Sequence, residues 1–232
     1  MYRRINFEKI GRTLNKLQQR ITERFSSSSL AKVCAELEVI AGETEANLVL
    51  ISKPNYWLRG SVLLIILLIL SVILFAVLNL EIKQTHLTFA DIVQVAESAV
   101  NDLILFGLAI FFLVSLESKL KRSKALKSLN ELRAVAHIID MHQLTKDPTE
   151  IGEQAKSTAS SPERKMSPYK LKRYLDYCSE ILAIVGKIAA VYAQHIPEPD
   201  IVSSVNDIEQ LTSGISRKIW QKIMILQRSV EQ

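Results

Sequence analysis

Ser61–Leu80 reads SVLLIILLILSVILFAVLNL, twenty residues without a charge or a proline. At about 1.5 Å per residue a helix of this length covers about 30 Å, the thickness of a bilayer's hydrocarbon core. The stretch starts too far from Met1 to be a cleavable secretory signal. A first transmembrane helix is therefore expected over residues 59–82. A second apolar stretch, Leu103–Leu116 (LILFGLAIFFLVSL), has only fourteen uncharged residues. That is enough for a buried core helix, and Ala99, Val100, Asn101 and Asp102 bring it to spanning length. A first span needs a return path, so a second transmembrane helix is expected over 99–118.

These two stretches explain the bulk composition. The chain has 232 residues, 48% hydrophobic and 23% charged, yet its mean hydropathy is positive at +0.16. Such values coexist when apolar residues are clustered. Seven glycines, all isolated, exclude a loop built to cradle phosphates and disfavour a turn-dense β fold. Two cysteines cannot build a disulfide framework.

Charge predicts orientation. The net +5 divides into +5 for residues 1–24, −1 for 25–60, −3 for 61–116 and +4 for 117–232. Lys53 and Arg59 precede the first span, and Lys119, Lys121, Arg122, Lys124 and Lys127 follow the second. Between the spans Lys83 stands alone against Glu81, Asp91, Glu97 and Asp102. The positive-inside rule then places both termini in the cytoplasm, in a plan that fits a bacterial inner membrane. Tyr56, Trp57 and Arg59 on one side, and Lys119, Lys121 and Arg122 on the other, are the expected interfacial anchors. The external connector, 83–98, carries Phe89, Ile92, Val93 and Ala96 at helical spacing after Thr88, a candidate N-cap. A short amphipathic helix fits this pattern; so does a long second helix beginning near Phe89.

Residues 1–58 predict a cytoplasmic helical hairpin. Ile10, Leu14, Leu17, Ile21 and Phe25 step by three and four on a basic helix. Leu30, Val33, Leu37 and Ile40 do so on an acidic one, with Leu48 two turns further on and Ser29 as its expected N-cap. Opposite charges suggest pairing across the hairpin. A basic amphipathic helix also suits an anionic membrane surface. Nucleic-acid binding is not expected, since no recognition motif accompanies the charge.

After the membrane, Ala125, Leu129, Leu132, Ala136 and Ile139 continue the helical period in a stalk over 119–144. Residues 145–167 lose periodicity and read as a linker. Residues 168–232 read as two more helices. Ser167–Pro168 is a cap followed by proline at the first helical position, Pro197 and Pro199 are breakers, and Asp200 is the expected cap of the last helix. The fold class is all-α: a two-span transmembrane hairpin with a cytoplasmic bundle built from both terminal segments.

Chemistry is sparse. His137 and Asp140 are one helical turn apart and are the only metal-like pair; together with Arg133 they read more simply as a solvated polar stripe opposite the leucines. No HExxH, paired CxxC, GxSxG, Walker A or kinase signature is present. Cys34 and Cys178 fall on cytoplasmic helices and should remain reduced. Trp220, in SRKIWQKI, reads first as a core residue and second as a partner contact. No catalysis, cofactor or small-molecule ligand is expected. The expected partners are the lipid bilayer and either further copies of the chain or a helical protein. The alternative is an oligomeric channel or membrane-perturbing effector, although few polar residues interrupt the spans.

Overall fold

The computed structural model describes residues 4–53, 56–78, 89–146, 148 and 166–231, which form six helices and no strand. These are α1 (Phe7–Arg24), α2 (Ser29–Ser52), α3 (Tyr56–Leu78), α4 (Phe89–Leu144), α5 (Pro168–His195) and α6 (Pro199–Glu231). Two compact units result: residues 53–123, and residues 1–52 together with 124–232.

In the first unit, α3 and the first part of α4 are long and apolar enough to cross a membrane. Leu63, Leu67, Leu70, Phe75, Leu105, Phe111 and Phe112 are all exposed. An apolar surface of this extent is costly in water and costless in hydrocarbon. Among the described side chains of α3, only a stripe including Leu58, Val62, Ile65 and Ile69 is half-buried.

Helix α4 runs without a break for 56 residues. No proline interrupts it, and Gly107 alone does not outweigh so many good helix formers. Of the two arrangements compatible with the pattern after Phe89, the long helix is therefore present. The anticipated short connector helix and the stalk are parts of one element. Residues 83–88, with the anticipated Thr88 cap, and most of the 145–167 linker lie outside the described residues.

The second unit packs around α5, which buries fourteen of its residues, from Leu171 to Tyr192. Helix α1 lays Ile10, Leu14, Leu17 and Ile21 into the core. It runs antiparallel to α2, with Asn15 Nδ2 donating to Glu38 Oε1 at 2.8 Å. It also runs antiparallel to α5, as Ile5–Gln194, Arg20–Glu180 and Arg24–Tyr169 hydrogen bonds show. Helices α2 and α5 therefore point the same way. The final part of α4 is tied to α2 by Asn47–Ser128 and Ser29–His142. It is tied to α6 by Arg133, which reaches Ser204 and Asp207.

Several local expectations change. The α2 cap is Ser28, whose Oγ accepts from Ala31 N at 3.2 Å, so Ser29 is already helical. Glu198 rather than Asp200 precedes the first turn of α6, its carbonyl accepting from Val202 N at 3.0 Å. Asp200 lies inside that turn, where the helix dipole favours its charge. Ser167 does cap α5, accepting from Lys170 N at 3.3 Å. Arg20 pairs with Glu180 of α5 rather than with an acid of α2, because the basic side of α1 turns toward α5.

Candidate functional site

Among the described residues, polar chemistry meets partial exposure at helix termini and helix crossings. At one end of the second unit, the α1–α2 turn meets the start of α5. Phe25, the C-cap of α1, sets its ring edge-on to Tyr174 and Tyr177, at 5.6 and 6.2 Å between centroids. Three cations sit on the tyrosine rings there. The Arg24 guanidinium lies 5.6 Å from the Tyr169 centroid, Lys146 Nζ 5.6 Å from that of Tyr174, and the Arg173 guanidinium 4.9 Å from that of Tyr177. Hydrogen bonds to Tyr169 and to Tyr177 raise the Arg24 and Arg173 pKa values further. Burial raises the Tyr174 hydroxyl well above its ordinary value. A phenol so shifted stays protonated at neutral pH and is poorly suited to general-base work.

Burial pushes the thiols of Cys34 and Cys178 up to about 12. Both side chains are fully enclosed. The thiolate is the nucleophile and the metal ligand, and these thiols hold their protons. His142, half-buried beside Ser29, has its pKa lowered by burial and by Lys146.

The remaining sequence candidates are dispersed. His137 is exposed, while Asp140 accepts from Gln143 Nε2 at 2.7 Å. Among the described residues no three His, Cys, Asp or Glu side chains come together to hold a metal ion. Tyr56, Trp57 and Arg59 are exposed or nearly so in the first turn of α3, and Lys119 is exposed on α4. Lys121 and Arg122 are half-buried. Lys121 Nζ lies 2.8 Å from Glu117 Oε1 and donates to the Lys53 carbonyl at 3.0 Å, linking the two apolar segments at one end. Period-four spacing of Glu117 and Lys121 was the available signal for that pair; the Lys53 carbonyl had none.

Trp220 is 61% exposed, which overturns its reading as a core residue. Ile219 and Ile223 occupy the inward face of α6 at that level, and one residue is a rotation of about 100°. Near it, α5 and α6 leave an open groove of about 440 Å³. Ala183, Gly186 and Ala190 contribute its α5 side, Ser213 and Ser216 its α6 side, and Ile5 also lines it. The helices approach closely here: a Cβ on Gly186 would stand 3.4 Å from Thr212 Oγ1. This groove is invisible to sequence reading because its lining residues are small and its position depends on the α5–α6 crossing. No protein-family model, no curated protein and no solved structure matches this chain.

Proposed function

We propose that this chain is a two-span, non-enzymatic protein of a cytoplasmic membrane, whose cytoplasmic helical bundle is a platform for self-association. The observation that carries the reading is the dual character of α4. Its Leu103–Leu116 region is uncharged and largely exposed, whereas Ala125, Leu129, Leu132 and Ile139 are buried in a packed core. One helix thus joins a membrane-type surface to a water-type fold. Basic flanks and an acidic connector support cytoplasmic termini. The stable protonation of both buried thiols and the dispersal of His137 and Asp140 support a binding role over catalysis.

The test is crosslinking of the full chain in native membranes, with the size and composition of the products determined. Products built from the chain itself are expected. A strictly monomeric chain would overturn the platform reading, and ion flux from liposomes holding the pure protein would favour a channel instead. Orientation is checked with single cysteines at Gln94 and Ser203 and a membrane-impermeant maleimide. Gln94→Cys should label in intact cells, and Ser203→Cys only after permeabilisation; the reverse result rejects the topology.

A further inference from the structure

The groove between α5 and α6 has a complement on another surface of the same unit. Helix α2 turns Lys32, Glu36, Val39, Glu43 and Ala46 outward, at steps of three and four. This strip is exposed along its whole length, and Val39 is a large apolar side chain left in the open. The groove supplies small residues where Val39 needs room and cations where the strip is acidic. Lys187 lines it, and Arg217 lines a recess that shares Glu209 and Ser213 with it. Glu209, Ser213, Ser216 and Trp220 recur at helical spacing, so Trp220 stands on the groove's face of α6.

The levels of these residues along the helices also agree. The Ser29 hydroxyl interacts with that of Tyr174, which puts the two residues at about one level, and α2 runs in the same direction as α5. Counting forward at equal rise, Glu36 stands level with Ile181, Val39 with Ile184 and Glu43 with Ile188. On α6, which runs the opposite way with Thr212 beside Gly186, Arg217 comes level with Ile181 and Trp220 with Cys178. A second copy displaced sideways, without sliding along the helix axis, therefore brings matching residues to one height. Its Glu36 meets Arg217, its Glu43 meets Lys187, its Val39 meets Ala183 and Gly186, and its Lys32 meets Trp220.

We propose that the α5–α6 groove receives helix α2 of a second copy of this chain. The contact joins two different surfaces, so it propagates head to tail and closes into a ring or extends as a row. Opposite charges fix the register and Val39 fills the floor, while the Lys32 ammonium lies over the exposed Trp220 ring. Glu209 is the one lining acid that this arrangement leaves near Glu43. The inference rests on self-association, and its test separates the two.

Full-length chains carrying Val39→Cys or Ala183→Cys are reconstituted singly and mixed, then oxidised. The native thiols Cys34 and Cys178, being buried and protonated, contribute little background. A disulfide-linked dimer is expected only in the mixture, and a ladder from a chain bearing both substitutions. Lys187→Glu with Arg217→Glu on the Ala183→Cys chain should cut the yield by about tenfold or more. Glu36→Lys with Glu43→Lys on the Val39→Cys chain should restore it, and Glu209→Gln should raise it. Crosslinking of Val39→Cys to itself would overturn the groove in favour of a symmetric α2 contact. Larger species seen with a chemical crosslinker, without any 39–183 disulfide, would overturn the groove and leave self-association standing. A monomer under both treatments would overturn both.

Discussion

Lys222 Nζ donates to the carbonyl oxygen of Gln143 at 2.6 Å and to that of Lys146 at 3.3 Å. Gln143 lies in the last turn of α4 and Lys146 just past its end, and the Gln143 carbonyl also accepts from Lys146 N at 3.1 Å. A cation supplied by α6 binds both carbonyls and meets the negative end of the helix dipole. Lys222→Met keeps much of the side-chain length and removes the donor. It is expected to lower stability by about 1–2 kcal/mol, read as a reduced Tm by circular dichroism in detergent. Lys222→Arg should recover part of the loss; equal effects of the two changes would reject a capping role.

Leu17 and Arg20 lie within one turn of α1 and should respond very differently. Leu17 is wholly buried, and its truncation to alanine should cost about 2–5 kcal/mol. The Arg20–Glu180 pair is 2.9 Å long but about half exposed on the arginine side, and such pairs contribute about 1 kcal/mol or less. Arg20→Ala should therefore shift a urea or thermal midpoint only slightly. The same comparison decides between packing and membrane adsorption for α1. If its apolar stripe rested on lipid, Leu17→Ala would reduce vesicle binding and leave the bundle's unfolding transition in place.

Alkaline pH should destabilise the bundle through its thiols. Cys34 and Cys178 have folded pKa values of about 12 against an ordinary value of 9.0. Between those values the unfolded chain has lost protons that the folded chain keeps, so unfolding becomes easier as pH rises. Full stability is expected below about pH 9, with a decline toward pH 12. The same burial predicts slow reaction with a maleimide at about pH 7.5 in the folded state and fast reaction in denaturant. Rapid labelling of the folded protein would contradict it.

What could be read from the sequence follows the range of the forces involved. Helix α1 was legible from Ile10 to Ile21 because a single amphipathic period dictates its buried face. The first apolar stretch is legible because an uncharged run of bilayer length is rarely stable facing water, and the second because a first span needs a return path. Trp220 was misread because its neighbours Ile219 and Ile223 already supply the inward face, and spacing alone did not rank an isolated tryptophan against them. Arg133 looked like part of a solvated stripe with His137 and Asp140, yet it reaches Asp207 at 3.3 Å, seventy-four residues away. That pairing depends on α4 and α6 lying side by side, as does the Lys222 cap. The caps of α2 and α6 each moved by one or two positions, since Ser28 and Ser29 are chemically equivalent and only the path of the chain distinguishes them.

Gly186 and Ala183 separate the integrity of the bundle from the availability of its groove. A methyl group at Gly186 meets Thr212 Oγ1 at 3.4 Å, the near edge of ordinary van der Waals contact. It also removes backbone freedom from the unfolded chain and improves helix propensity by about 1 kcal/mol. Gly186→Ala is therefore expected to leave Tm unchanged or to raise it. Ala183 is exposed on the α5 side of the groove, so a larger side chain there has solvent to occupy and should not disturb folding. Ala183→Leu should leave the unfolding free energy within about 0.5 kcal/mol of the parent. In membranes, however, it fills the space into which Val39 of the next copy must fit. Chemical crosslinking of the Ala183→Leu chain should then yield mainly monomer although the fold is intact. Retention of the full set of crosslinked species would show that the copies associate through some other surface.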